Sequence, residues 1–287
     1  MTKRTILIAP LLLLALFCSQ KEEELQLDPS KLGNDKEIYE RAVKVVKRQP
    51  ERGRLLFKSL IQLSPNSVYA QKAKIGIADS YYKEKGEGTL MLAVSEYEEF
   101  VSMYPNSPDA VYAKYQIGMC YYRGMRRPGR DQENTHLAID AFEDMIKRFP
   151  GTREAEDAKE KIKEARMNLA QHYFRIAMTN YYIKAFEGAV RRFKMVLNDY
   201  PEFEEKDELY FFAGKSYFAM RDFDTAVSFF QRTIEDYPSS RFARRSKRML
   251  KKVQKERARI EESRPAPAEP DRDEEPMRWP RASFHRG

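Results

Sequence analysis

Histidine and cysteine are scarce in this chain, with three and two among 287 residues. His136, His172 and His285 lie far apart, none with a partner at metal-ligand spacing, which argues against a histidine-held metal. His172, beside Tyr173 and Phe174, reads as a packed or half-exposed ring. Cys18 closes an apolar run and Cys120 sits inside Ile117-Gly118-Met119-Cys120-Tyr121, so a structural disulfide is not expected. Cys120 reads as a buried, unreactive thiol on a packed helix face. Glycine numbers only twelve and forms no phosphate-cradling loop; His-Glu-x-x-His and Gly-x-Ser-x-Gly are also missing. Glu96, Glu98 and Glu99 read as a solvated helix face. The chain is therefore expected to be a non-enzyme with no cofactor and no metal. Runs of β-branched residues are few, so the body reads as all-α. The single tryptophan, Trp279, falls near the end, outside the expected core.

What is present is a repeat. A small residue, an aromatic four on and a proline eight further on recur as Gly53–Phe57–Pro65, Ala93–Tyr97–Pro105, Ala138–Phe142–Pro150, Ala189–Phe193–Pro201 and Ala226–Phe230–Pro238. Residues four apart share a helix face, so the small one admits a neighbouring helix and the aromatic fills the groove beside it. Proline then stops the helix, because it lacks a donor and clashes with the preceding turn. Capping pairs follow four of the five prolines: Asn66-Ser67, Asn106-Ser107, Gly151-Thr152 and Ser239-Ser240. With Tyr210, Gly214 and Tyr217 preceding the last pair, this is the spacing of a tetratricopeptide (TPR) helix pair. One pair cannot bury its apolar face alone. The fold class expected is a TPR-like α-solenoid of five helix pairs with a C-terminal capping helix.

In chain order, Lys3 and Arg4 precede an apolar run from Ile6 to Phe17, too short to span a membrane and right for a signal peptide over 1–17. The run ends at Cys18, which resembles a lipoprotein box with Cys18 as lipid attachment site; the usual box has a small residue where Phe17 stands. An ordinary secretory signal is the alternative. Residues 18–35 read as a polar tether. N-terminal repeats one to three fill 36–150, with helices near 36–48, 51–64, 67–84, 89–104, 108–123 and 134–149. Residues 124–133, rich in glycine, proline and arginine, form a longer excursion than a TPR needs. The C-terminal repeats and capping helix fill 151–263, with helices near 152–183, 186–200, 203–220, 222–237 and 240–263. Residues 264–287, opening Pro-Ala-Pro-Ala-Glu-Pro, read as a disordered tail.

The formal net charge of +8 is concentrated. Residues 240–264 hold eleven Lys and Arg against three Glu, so the basic balance belongs to one helix. Behind a signal peptide nucleic acid is not expected as its partner; anionic lipid and an acidic protein surface stay open. First helices of TPR pairs line the surface that receives peptides. Tyr81 and Tyr121 take the packing position equivalent to Tyr217, whereas for Tyr82, Tyr115 and Tyr122 substrate-groove contact and packing stay equally open. Arg191 and Arg192 precede Phe193 and face outward, where bare charges would make a solvated face.

The excursion followed by Arg130-Asp131-Gln132, Thr135, Ala138 and Phe142, and the run Ala185-Phe186-x-x-Ala189-Val190-x-Arg192-Phe193 closing on Asp199-Tyr200-Pro201, resemble the BamD (ComL) family. These are TPR lipoproteins of the outer-membrane β-barrel assembly machinery, and the resemblance covers about 35–250. It implies a scaffold held by a lipid on Cys18 to the periplasmic face of the outer membrane. The N-terminal repeats would receive unfolded outer-membrane β-barrel proteins, and the C-terminal repeats would grip the last POTRA domain of a BamA-like barrel. Other lipoproteins of the complex are further expected partners. Arg192 stands where the family has an arginine at the barrel contact, while Asp131 and Gln132, with Arg130, are expected to brace the excursion. The alternative is another periplasmic TPR protein, a Tol-associated coordinator or a pilus-assembly lipoprotein, neither of which carries the Arg-Asp-Gln excursion.

Overall fold

The structure, a computed structural model, describes residues 33–263, and among these are eleven α-helices and no strand. The signal peptide, Cys18, most of the tether, the tail with Trp279, and His285 lie outside the described residues. The helices are α1 (Asp35–Val46), α2 (Pro50–Leu63), α3 (Val68–Lys83), α4 (Glu87–Met103), α5 (Asp109–Gly124), α6 (Glu133–Arg148), α7 (Arg153–Tyr182), α8 (Phe186–Asp199), α9 (Lys206–Ala219), α10 (Phe223–Asp236) and α11 (Arg241–Glu262). They form five pairs and a last helix, a TPR-like all-α solenoid.

Local chemistry accounts for the starts. Asn34 and Glu37 close a capping box on α1, with Glu37 N donating to Asn34 Oδ1 at 3.0 Å. Ser67, Ser107, Thr152 and Ser240 each accept a backbone N–H of the following turn at 2.9–3.3 Å. Pro201 has no such residue after it, and α9 begins only at Lys206, later than the spacing predicts. Phe203 in the intervening turn is nonetheless buried, 5.2 Å from the ring of Phe174.

All five aromatic positions of the repeat, Phe57, Tyr97, Phe142, Phe193 and Phe230, are fully buried. Each such side chain contributes about 1.5–3 kcal/mol relative to exposure. Glycine on a facing helix makes room for three of them, with a Cβ on Gly76 falling 2.7 Å from Phe57. A Cβ on Gly118 would stand 2.4 Å from Phe142, and one on Gly214 2.8 Å from Phe230.

The chain divides into two compact units after Leu169. In the first, three apolar clusters succeed one another: α1 to α3 around Phe57, α3 to α5 around Tyr97 and Phe100, and α5 to the start of α7 around Phe142. In the second, Phe211 of α9 packs on Phe230 of α10 and Phe242 of α11, with ring centroids 6.1 and 5.3 Å away. Whereas the repeats separate pair three from pair four at 150/151, this division falls inside α7. Ala155 and Ala158 on its first turns belong to the Phe142 cluster, so those turns go with repeat three.

Candidate partner-binding surfaces

The first unit carries most of the candidate residues. Tyr82 ends α3, half-buried beneath Arg123 of α5, whose guanidinium lies 5.2 Å from the ring centroid and donates to the Tyr82 carbonyl. Burial raises the Tyr82 phenol above its ordinary value, with Arg123 opposing. Tyr115 and Tyr122 lie two turns apart on α5. Their rings rest 5.9 and 6.4 Å from Phe142, and their hydroxyls donate to Asp157 and Glu164 on α7. The Tyr122 hydrogen bond, then Lys161, holds Glu164 below the usual carboxylate range, while burial and the same bond raise Tyr122. Lys161 also sits 5.0 Å over the Tyr122 ring. The two tyrosines therefore present a packed ring and a committed hydroxyl, not a free aromatic surface.

Sequence reasoning missed the acceptors. Asp79 on α3 takes hydrogen bonds from Tyr97 at 2.6 Å and Tyr112 at 2.9 Å, joining three helices at one carboxylate. Burial first, then Asp79, pushes both phenols far above their ordinary value. The missed partners Asp157 and Glu164 are charged residues on an otherwise polar helix, and nothing local distinguishes them from their neighbours.

The excursion, residues 125–132, is organised from within. Gln132 is only 6% exposed; its Nε2 donates to the Arg127 and Arg130 carbonyls at 3.1 and 3.0 Å, and its Oε1 accepts from Thr135 at 2.8 Å. Asp131 accepts from the backbone of Glu133 at 3.1 Å, an acid at the start of α6. Arg130 is exposed. Asn168 of α7 donates to the Arg126 carbonyl at 2.9 Å, and Arg126 pairs with Glu87 at 2.7 Å. A cavity of about 300 Å³ opens beside the excursion, floored by Leu90, Val94 and Cys120. Burial pushes the Cys120 thiol up to about 12, which leaves it without thiolate near neutral pH.

In the second unit Arg191 is exposed and Arg192 half-buried on α8. The Arg192 guanidinium lies 5.7 Å over Tyr173 and donates to Met195 Sδ at 3.6 Å, so its direction is held by an aromatic and a thioether. Tyr173 in turn contacts His172 and Tyr200 at 5.2 and 5.9 Å. Among the described residues no three His, Cys, Asp or Glu side chains are grouped to hold a metal ion, and no helix is long and apolar enough to cross a membrane.

Comparison with known proteins agrees with this helical architecture. A family model described as YfiO, outer membrane lipoprotein, matches residues 32–224, and a tetratricopeptide-repeat model matches 210–240. The chain is 35% identical over 107 residues to the outer membrane protein assembly factor BamD of Caulobacter vibrioides, a match covering 37% of this chain and 34% of that one. It is 29% identical to BamD of Rickettsia prowazekii over 58% of this chain and 68% of the relative. For BamD of Haemophilus influenzae the identity is 24%, over 56% of this chain and 64% of the relative. The chain thus spans from about a third to two-thirds of the length of these relatives. The family match itself runs from the residues before α1 into α10, well over half of the chain, and with it the chain belongs to the BamD family, the YfiO outer membrane lipoproteins.

Proposed function

We propose that this protein is a non-enzymatic scaffold of the outer-membrane β-barrel assembly machinery, anchored by a lipid on Cys18 at the periplasmic face. The family match over 32–224 is the observation that carries this reading. Its C-terminal repeats bind the POTRA region of a BamA-like barrel protein, with Arg192 as a contact and Arg191 beside it. A guanidinium steered by Tyr173 and Met195 and still partly open to solvent suits a carboxylate on a partner. Its N-terminal repeats receive unfolded barrel proteins, whose extended ends expose backbone groups and alternate side chains. On that surface Tyr82 offers the ring that a substrate would meet, while Tyr115 and Tyr122, packed on Phe142 and bonded to Asp157 and Glu164, fix the shape of the groove. Arg130, Asp131 and Gln132 shape the excursion beside it. Further lipoproteins of the complex join the same scaffold.

The test is a detergent extraction of the tagged full-length protein from its native membrane, with captured partners identified by mass. A barrel protein bearing periplasmic POTRA repeats, in near-equal amount, is the expected partner. Capture of Tol–Pal or pilus components without it would replace this reading by that of another periplasmic TPR protein.

A further inference from the structure

One side of α11 docks it: Phe242, Ser246 and Val253 are buried, and the helix packs on α9 and α10. On the opposite side Arg244, Arg248, Lys251 and Lys255 follow at spacings of four, three and four residues, which puts them on one stripe of the helix. The stripe is about 16 Å long at the helical rise. All four side chains are exposed, and among the described residues none is paired with an acid. Arg241, one turn before Arg244, and Arg257, nearer the docked side, are paired instead. Arg241 pairs with Glu208 at 3.6 Å, and Arg257 with Asp224 at 2.5 Å.

Like charges at these spacings oppose helix formation, so folding alone gives no reason for the stripe. Neither does solubility, which mixed charges would serve as well. We propose that the stripe binds the headgroups of an anionic phospholipid surface, laying α11 along it. The four positions carry charge alone, with no aromatic or apolar side chain among them to fit a pocket of a protein partner. Arg and Lys occupy it alike, which marks a need for charge and not for bidentate geometry. A plane of phosphates meets both requirements, and a cluster of four or more basic residues on an amphipathic helix is the usual form of such a site. The inference rests on the family's membrane setting and is independent of which proteins the scaffold holds.

The experiment sediments the chain from residue 18 onward, carrying Cys18→Ser so that no anchor contributes, with vesicles. Binding is expected to vesicles of mixed phosphatidylglycerol and phosphatidylcholine, to fall steeply with added salt, and to be negligible with phosphatidylcholine alone. Replacing all four residues by Gln should weaken it roughly 100-fold or more, since each basic residue near such a surface contributes a factor of about five. The charge-conserving Arg244→Lys with Arg248→Lys should keep it. Equal binding by the Gln variant, equal binding to neutral vesicles, or loss in the charge-conserving variant would each overturn the proposal. So would a Gln variant that keeps its vesicle binding but loses an acidic protein partner in a pull-down. Should the fourfold variant fail to fold, Arg248→Gln and Lys251→Gln singly, each expected to weaken binding about fivefold, decide the same question.

Discussion

Tyr122 of α5 donates its hydroxyl hydrogen bond to Glu164 of α7, and seven residues earlier on each helix Tyr115 does the same to Asp157. Both pairs are separated by 42 residues, as are Arg126 and Asn168. The equal separation means that α5 and α7 run parallel in one register, as first helices of successive repeats must. It also exceeds the ordinary TPR period of about 34 residues by roughly the length of the excursion between α5 and α6.

Tyr122→Phe should therefore lower stability by about 1 kcal/mol, less than the ~1.5–3 kcal/mol of a buried hydrogen bond to a charged group because this one is exposed to solvent. Its effect should depend on acid. Glu164 titrates below its ordinary value in the folded chain, so its contribution is complete above the unfolded carboxylate range and is lost as pH falls toward the lowered value. Urea midpoints of wild type and Tyr122→Phe should converge as pH falls below the ordinary glutamate value of about 4.3. A difference that stays constant as the solution is acidified would contradict the pairing.

Lys184 and Arg221 adopt φ of 64° and 63° in the turns after α7 and α9, a region where a Cβ is unfavourable. Lys184→Gly should raise stability by about 0.5–1 kcal/mol, since relief of the left-handed backbone exceeds the entropy lost by adding glycine at a turn. Lys184→Val should do the reverse. Thermal melts of the two variants distinguish them, and a lower melting temperature for Lys184→Gly would refute the backbone argument.

Gly118 touches Phe142 so closely that an added Cβ lies 2.4 Å away. Gly118→Val, and likewise Ala226→Trp at the small position of the last pair, should overpack their helix pairs and cost about 1–3 kcal/mol each. An unaltered melting curve for either would show that the repeat register is wrong at that pair.

Much of this was legible beforehand, for reasons that differ by residue. Phe57, Tyr97, Phe142, Phe193 and Phe230 announce themselves because helical geometry forces the small residue and the aromatic to recur at a fixed gap. Ser67, Ser107, Thr152 and Ser240 do so because an N-cap is a purely local contact. The excursion residue Gln132 could be placed as a brace only through resemblance, since its three partners depend on how the loop folds back. Asp79, Asp157 and Glu164 were not legible at all. A carboxylate that accepts from a tyrosine on another helix looks in sequence like any solvated acid, and its partner lies 18 to 42 residues away. The division after Leu169 was hidden for a related reason: α7 continues unbroken through it, so no glycine, proline or cap marks the place.

Cys18 lies outside the described residues, and its role rests on the apolar run before it. Cys18→Ala should change the protein from a membrane fraction that resists high salt to one that high salt releases, because only the basic stripe of α11 and the protein partner would still hold it. Membrane retention of that variant that stays undiminished in high salt would remove the lipid anchor from the proposal.

The proposed grip on a barrel partner is tested most directly at Arg192. Its guanidinium, held over Tyr173 at 5.7 Å, is the cation proposed to contact the partner. Arg192→Glu inverts that charge without touching the buried Phe193, so the variant should fold as wild type and recover several-fold less of the POTRA-bearing partner from detergent extracts. Wild-type recovery at an unchanged melting temperature would return Arg192 to a solvated face and contradict the proposed mode of assembly.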